Sequence, residues 1–239
     1  LVPLGGDDLL ALLPRELVAP VLARLGKYVL RAKVKLADDT AAWRITALLG
    51  GDAGGSPPLL PLPAAPGELT RSGAQLVACV SAAPPRYLLV APHTSPGPAD
   101  CAAGEPAAWQ RLAIAAGEAQ VYAATSEEFV AQMLNLDLLG AIAFDKGCYT
   151  GQEVIARAHY RGRVKRRLQR FLSAGSTTLE PGALGTLADG RSFKVVDAVT
   201  RADGRCEFLA VAAVAGGEAG AGRAALVAEP LPLPYALPD

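Results

Sequence analysis

From Arg167 to the C-terminus the chain is written in short alternating runs punctuated by Asp-Gly pairs, and this pattern constrains its fold more than any other. The runs are Arg167–Ser173, Phe193–Val199, Glu207–Val214 and Ala224–Glu229. A period of two sends successive side chains to opposite faces of a sheet. Asp189-Gly190 and Asp203-Gly204 fall between runs, and such pairs accept the positive φ values of tight hairpin turns. The last third therefore predicts a small antiparallel β-barrel.

Upstream, the texture is mixed. Leu17, Val21, Leu25 and Val29 share one helical face after Pro14, with Pro20 placed to delay or kink the helix. Val34–Leu36, Trp43–Leu49, Gln75–Val80 and Tyr87–Val90 read as strands. Residues 50–68, with Gly51, Gly54, Gly55, Pro57, Pro58, Pro61, Pro63 and Pro66, are a loop by composition. So are residues 91–106, with Pro92, Pro96, Pro98 and Pro106. Helices are predicted over Ala107–Ala116, stopped by Gly117, and from Thr125 to about Met133. The fold class is α+β, with an α+β module over 1–98, a second α+β segment over 99–165 and the barrel over 166–239.

Bulk numbers exclude more than they select. The 23 basic and 23 acidic residues cancel, so no global field draws the chain to nucleic acid or to a membrane. No uninterrupted apolar stretch is long enough to span a bilayer. Cys79, Cys101, Cys148 and Cys206 lie far apart without a Cys-x-x-Cys pair, unlike a structural zinc site or a self-contained ferredoxin-type cluster site. A reducing cytoplasm is the simplest compartment for such a chain. The only histidines are His93 and His159, and there is no Gly-x-Ser-x-Gly elbow, P-loop or dinucleotide-binding glycine pattern. Met133 is the only methionine, so Leu1 is not an initiator position and a preceding segment is expected.

The chemistry concentrates in Asp145-Lys146-Gly147-Cys148-Tyr149-Thr150-Gly151-Gln152-Glu153-Val154-Ile155-Ala156-Arg157. Thr150 and Glu153 have capping-box spacing, which makes Thr150 the expected N-cap of a helix. Cys148 then precedes free backbone N–H groups and the positive end of the helix dipole, and Lys146 adds a full charge. Such surroundings favour the thiolate, the form that attacks electrophiles or ligates metal. Gly147 and Gly151 suit a tight turn that leaves the sulfur accessible. A free cysteine is more often a small buried hydrophobe, but this charged, glycine-flanked setting argues against an apolar core. Asp145 is expected to pair with Lys146 or Arg157. Tyr149 and Gln152 position a ligand or pack the turn, and a pairing of Cys148 with His159 is conceivable.

Lys-Gly-Cys-Tyr-Thr-Gly-Gln-Glu resembles the hallmark of the YgfZ-type folate-binding proteins, relatives of the glycine-cleavage T-protein. Asn135-Leu136-Asp137 and Phe144 extend the match upstream; Arg157, His159, Tyr160, Arg161 and Gly162 extend it downstream. The resemblance implies T-protein-like modules, including a ferredoxin-like central domain, and a role in assembling or repairing iron–sulfur clusters for enzymes such as those that modify tRNA. It implies an assembly factor more than an enzyme. Cys148 is then the functional thiol and a shared ligand of a transient iron–sulfur cluster, with Lys146 as its activator. Gly147, Tyr149, Gly151, Gln152, Glu153 and Arg157 form the binding loop. Tetrahydrofolate is the implied modulator. A-type carriers, a monothiol glutaredoxin and cluster-dependent client enzymes are the implied partners. Compared with the family, the segment that opens the first domain is not visible. Two alternatives remain: a folate-dependent aminomethyltransferase, or an inactive, truncated relative. Against the first, the place of the T-protein's pterin-holding Leu-Glu-Ala-Gly is taken here by Ile114-Ala115-Ala116-Gly117, without a carboxylate. Ala131, where the family commonly has proline, favours the second.

Between Val154 and Leu179 there is no acidic residue, while Arg157, Arg161, Arg163, Lys165, Arg166, Arg167 and Arg170 are all basic. This stretch fits either an anion site or a solvated face. Direct RNA binding is not expected, since no RNA-binding motif accompanies it.

Overall fold

The computed structural model describes residues 1–50, 61–98, 101–160, 162, 164–214 and 225–238. The expected loop residues Gly51, Gly54, Gly55, Pro57 and Pro58, together with Arg161, Arg163 and Ala224, lie outside them. The chain divides into two compact units, Leu1–Trp109 and Gln110–Asp239.

The first unit opens with a hairpin, β1 (Val2–Gly5) and β2 (Asp8–Leu10), followed by α1 (Arg15–Gly26). Its main sheet is four-stranded and antiparallel, in the order β3-β6-β5-β4: β3 is Trp43–Leu49, β4 Leu69–Ser72, β5 Gln75–Ala82 and β6 Pro85–Pro92. Central strands β5 and β6 bury Leu76, Val77, Leu89 and Val90 almost fully. The helix carries Pro20 within it, buries only Leu17 and stops at Gly26, short of Val29. The expected strand Val34–Leu36 does not form, and Val34 is 54% exposed. Its alternation is strand-like, but no ladder partner is supplied, and an isolated strand leaves its backbone groups to water. A largely apolar groove of about 1090 Å³ runs between α1 and β3, lined among others by Leu12, Val21, Leu25, Leu36, Trp43 and Ile45.

Helix α2 (Pro106–Ala115) precedes Gly117, which adopts φ +68. Glu118 N–H bonds to Ala113 C=O and Gly117 N–H to Ile114 C=O, so the left-handed glycine closes the helix. No helix follows Thr125. Two short 3₁₀ turns, Ala123–Thr125 and Ala131–Leu134, stand in its place. The Thr125 hydroxyl accepts the Tyr122 N–H (3.0 Å), Ser126 is extended, and Glu127 sits at φ 64. These local bonds end the turn before an α-helix can propagate. Helix α3 is Gln152–Tyr160.

The remaining strands are β7 (Arg166–Ser176), β8 (Leu184–Leu187), β9 (Ser192–Thr200), β10 (Arg205–Ala213), β11 (Ala225–Leu226) and β12 (Ala228–Leu231). They form one sheet in the order β11-β8-β9-β10-β7-β12. Its two edge strands are consecutive in the chain and separated only by Val227, so the sheet curls into a half-barrel. The expectation of an antiparallel barrel needs one correction: β11 pairs with β8 in parallel. Bridging both edges, the 225–231 segment runs with one neighbour and against the other. The interior holds Phe171, Phe193, Phe208, Val195 and Leu187, with Ala210 and Ala212 making room for the rings. Phe208 stacks on Phe171 at 5.4 Å and tilts against Phe193 at 5.6 Å between ring centroids. Asp189 and Asp203 each accept the N–H two residues on, while Gly190 and Gly204 take positive φ, as the Asp-Gly turns require. Among the described residues no helix is long and apolar enough to cross a membrane.

Candidate functional site

Cys148 is exposed on the loop that leads into α3. Two features order this loop from within. The Lys146 ammonium lies over the Tyr149 ring, 4.4 Å from its centroid, so the pair bridges across Gly147 and Cys148. The Tyr149 N–H donates to Gln152 Oε1 at 3.1 Å. Gly151, at φ +87, then turns the chain into the helix.

This differs in detail from the capping box expected at Thr150 and Glu153. The helix begins at Gln152, one residue beyond the position a Thr150 N-cap requires, and Glu153 is exposed. The bond that reaches back three residues is made by Gln152 to Tyr149, one position earlier than the Thr-x-x-Glu spacing suggests. A left-handed Gly151 provides the turn that a serine- or threonine-type cap would otherwise provide. Gly147 needs no such freedom: its φ is not positive, and a Cβ there would meet nothing within 4 Å. No ion pair joins Asp145 to Lys146 or Arg157; the Lys146 ammonium lies over the tyrosine ring. Arg157 is exposed on α3.

The loop is fixed at its base by aromatic rings. Phe144, just ahead of the motif, stacks on His159 near the end of α3, with centroids 3.9 Å apart and planes at 22°. Tyr160 meets His159 edge-on at 4.6 Å. No hydrogen bond joins His159 to Cys148, and the histidine acts here as one layer of the stack. Its other neighbours are Asp137, Ala158, Gly162, Val164, Arg167 and Pro238, which line with it a small cleft of about 230 Å³.

A buried polar network carries α3 on the half-barrel. Gln132 Nε2 donates to the Ile155 C=O at 2.8 Å, in mid-helix. Arg167, 5% exposed on β7, donates through Nη1 to the Gln132 C=O (3.0 Å) and Asn135 Oδ1 (3.3 Å). It also grips Asp137 with both arms, Nη1 to Oδ1 at 3.0 Å and Nη2 to Oδ2 at 2.9 Å. Asn135 holds a left-handed φ of 58, and its amide donates to the Leu168 C=O and to the Tyr235 hydroxyl, which itself donates to the Gly117 C=O. Burial pushes the Tyr235 hydroxyl above its ordinary range. Sequence reasoning missed this network. Asn135-Leu136-Asp137 stood out as a motif, but nothing in its spacing connects Asp137 with an arginine thirty residues later.

The same network corrects part of the basic stretch. Arg166 donates to the Ser192 C=O, Arg167 to Asp137, and Arg170 to Glu207 Oε1 through both Nε (2.9 Å) and Nη2 (2.6 Å). These three cations are consumed inside the fold by acids and carbonyls distant in sequence, so they are not available to an anion. Arg157 and Lys165 remain exposed. Among the described residues no three His, Cys, Asp or Glu side chains converge as a metal-binding group.

No protein-family model matches the chain. It is similar to proteins named tRNA-modifying protein YgfZ. That of Shigella dysenteriae serotype 1 (strain Sd197) is 35% identical over 185 residues, 74% of this chain and 56% of the relative. That of Escherichia coli O157:H7 (strain EC4115 / EHEC) is 31% identical over 217 residues, 84% of this chain and 65% of the relative. That of Escherichia coli (strain K12 / DH10B) is 34% identical over 185 residues, with 74% and 56% covered. The chain spans 56–65% of the length of these curated relatives. Its cysteine motif, the residues flanking it and these identities place the chain in the YgfZ family.

Proposed function

We propose that this chain is an accessory protein for iron–sulfur cluster assembly or repair, built on a T-protein-like framework, that supports enzymes modifying tRNA. The observation that carries the reading is the exposed Cys148 on an internally ordered loop, bridged by Lys146 and Tyr149 and stapled below by Phe144 and His159. An accessible thiol on a fixed loop suits ligand exchange. The Cys148 sulfur gives its proton to solvent and replaces one thiolate on a cluster held by a donor protein, with no change in iron oxidation state. One cysteine holds one corner of a cluster, so the partner supplies the others. A-type carriers and a monothiol glutaredoxin are the proposed partners, and the cytoplasm the proposed compartment.

The relatives' name supports the link to tRNA modification. Tetrahydrofolate is implied by family resemblance as a modulator. At the position of the pterin-holding carboxylate, however, this chain has the Ile114–Gly117 segment, in which Ile114 is fully buried and no acid is present. The described residues do not supply that contact, and the proposed chemistry contains no folate-dependent step. The same feature weighs against an aminomethyltransferase.

The test is complementation of a host lacking its own YgfZ-type protein, with tRNA methylthiolation measured by mass spectrometry of nucleosides. The native chain restores the modification and Cys148→Ala does not. Equal rescue by both would remove the thiol from the function.

A further inference from the structure

Helix α3 is nine residues long, and none of them is buried. An isolated helix of that length is marginal in water, so α3 takes its order from what it touches. The Phe144–His159 stack closes the motif upon itself, because both rings belong to the segment that runs from Phe144 through Cys148 to the end of α3. Holding that segment on the half-barrel takes a contact from outside it.

Gln132 supplies such a contact. It is 1% exposed, and its Nε2 donates to the Ile155 C=O at 2.8 Å, close to one turn into the helix. The reverse orientation of the amide would set Oε1 against a carbonyl oxygen, so the chemistry fixes which end faces α3. Consecutive residues of β7 in turn hold the 3₁₀ turn that carries Gln132. Arg167 Nη1 donates to the Gln132 C=O at 3.0 Å. Asn135, which closes the turn at a left-handed φ of 58, donates through its amide to the Leu168 C=O at 2.9 Å. A line of bonds thus runs from β7 through the turn to Ile155, and from there the chain leads back over Gly151 to Cys148.

We propose that Gln132 is a positioning residue for Cys148. The role rests on the assembly function proposed for the chain: Gln132 holds α3, and with it the cysteine loop, at a fixed place on the half-barrel, so that the sulfur meets a cluster in a partner protein in one orientation. A small reagent reaches an exposed thiol from many directions, whereas a cluster fixed in a partner must be met in one. Loss of the tether is therefore felt in transfer and not in simple alkylation.

Two substitutions test it. Gln132→Glu keeps the shape and removes the donor, and Gln132→Met removes both polar ends. Hydrogen exchange read by mass spectrometry should show the α3 amides opening about fivefold faster in either variant, as the loss of one hydrogen bond implies, with β9 and β10 unchanged. In a Cys101→Ser background, where the remaining cysteines Cys79 and Cys206 are buried, iodoacetamide should alkylate Cys148 within about twofold of the native rate. In the complementation assay, tRNA methylthiolation per molecule of protein should fall by about fivefold. Val195→Ala, which weakens the half-barrel interior, should leave it unchanged. Native methylthiolation in both Gln132 variants overturns the proposal, and so does unchanged exchange in α3 or an equal loss in Val195→Ala. Alkylation that slows in step with methylthiolation overturns it too, since the defect would then lie in the thiol. Full rescue by Cys148→Ala is a different failure: it removes the assembly function, and the positioning role with it, whatever the Gln132 variants do.

Discussion

Removing the Asp137 carboxylate tests the physical account of the buried network most sharply. The Arg167 and Asp137 side chains are 6% and 14% exposed and share two charged hydrogen bonds. Asp137→Ala leaves the guanidinium in place, because an arginine does not shed its charge. Two neutral acceptors remain for Nη1, the Gln132 C=O and Asn135 Oδ1, but Nη2 loses its recorded partner. Breaking a buried pair on one side typically costs about 3–5 kcal/mol; the surviving acceptors place this case near the lower end, about 3 kcal/mol. With a urea m value of about 2 kcal/mol/M, the midpoint falls by about 1.5 M.

Far-UV circular dichroism is the appropriate probe, since Trp43 and Trp109 both belong to the other unit and tryptophan fluorescence reports there. The paired replacement Asp137→Leu with Arg167→Met removes both charges together and should recover much of the loss, because no uncompensated ion is left behind. A midpoint shift below about 0.3 M for Asp137→Ala would refute the reasoning, and so would a double variant less stable than the single.

The other predictions are independent of that pair. Asp197 is 1% exposed and accepts from Gln110, Tyr122 and the Ala198 N–H, yet desolvation outweighs these bonds and raises its pKa. A raised folded-state value means that its contribution is fully present below the unfolded pKa and is lost as pH rises through the folded one. Asp197→Asn should therefore gain on the native chain between acid and neutral pH, read as the difference in urea midpoints; a difference flat with pH contradicts this. Gly117→Ala forces a side chain into a left-handed position and sets its Cβ against the Tyr235 hydroxyl and 2.8 Å from Leu233, so a loss of about 2 kcal/mol or more and faster proteolysis of the C-terminal tail are expected. Phe208→Ala empties the centre of the half-barrel between Phe171 and Phe193 and should cost about 3–5 kcal/mol in the same urea assay.

What the sequence disclosed follows the range of its signals. Trp43–Leu49, the Asp-Gly hairpins of the half-barrel and the glycine stop of α2 are local, and the alternation or turn chemistry that marks them is the force that builds them. Val34–Leu36 shows the limit of that logic: its alternation is as good as that of β3, but a strand is completed by a neighbour, and periodicity does not say whether one exists. Thr125 failed for a related reason, since its hydroxyl spends its bonds on Tyr122 and the chain never reaches the helical register. The exposure of Cys148 was legible because glycines and a lysine surround it within three residues. Which of its neighbours organise the loop was less legible. Lys146 turns to the Tyr149 ring, and Gln152 makes the bond that spacing suggested for Glu153. The basic stretch was least legible of all. Arg166, Arg167 and Arg170 look alike in sequence, and only the sheet register brings Glu207 beside Arg170 and aims Arg167 at Asp137. Charge placed by tertiary structure is invisible to composition. A run of arginines is therefore an anion site only where the fold leaves it uncommitted, and among the described cations of this stretch that condition is met by Arg157 and Lys165, on α3 and just ahead of β7.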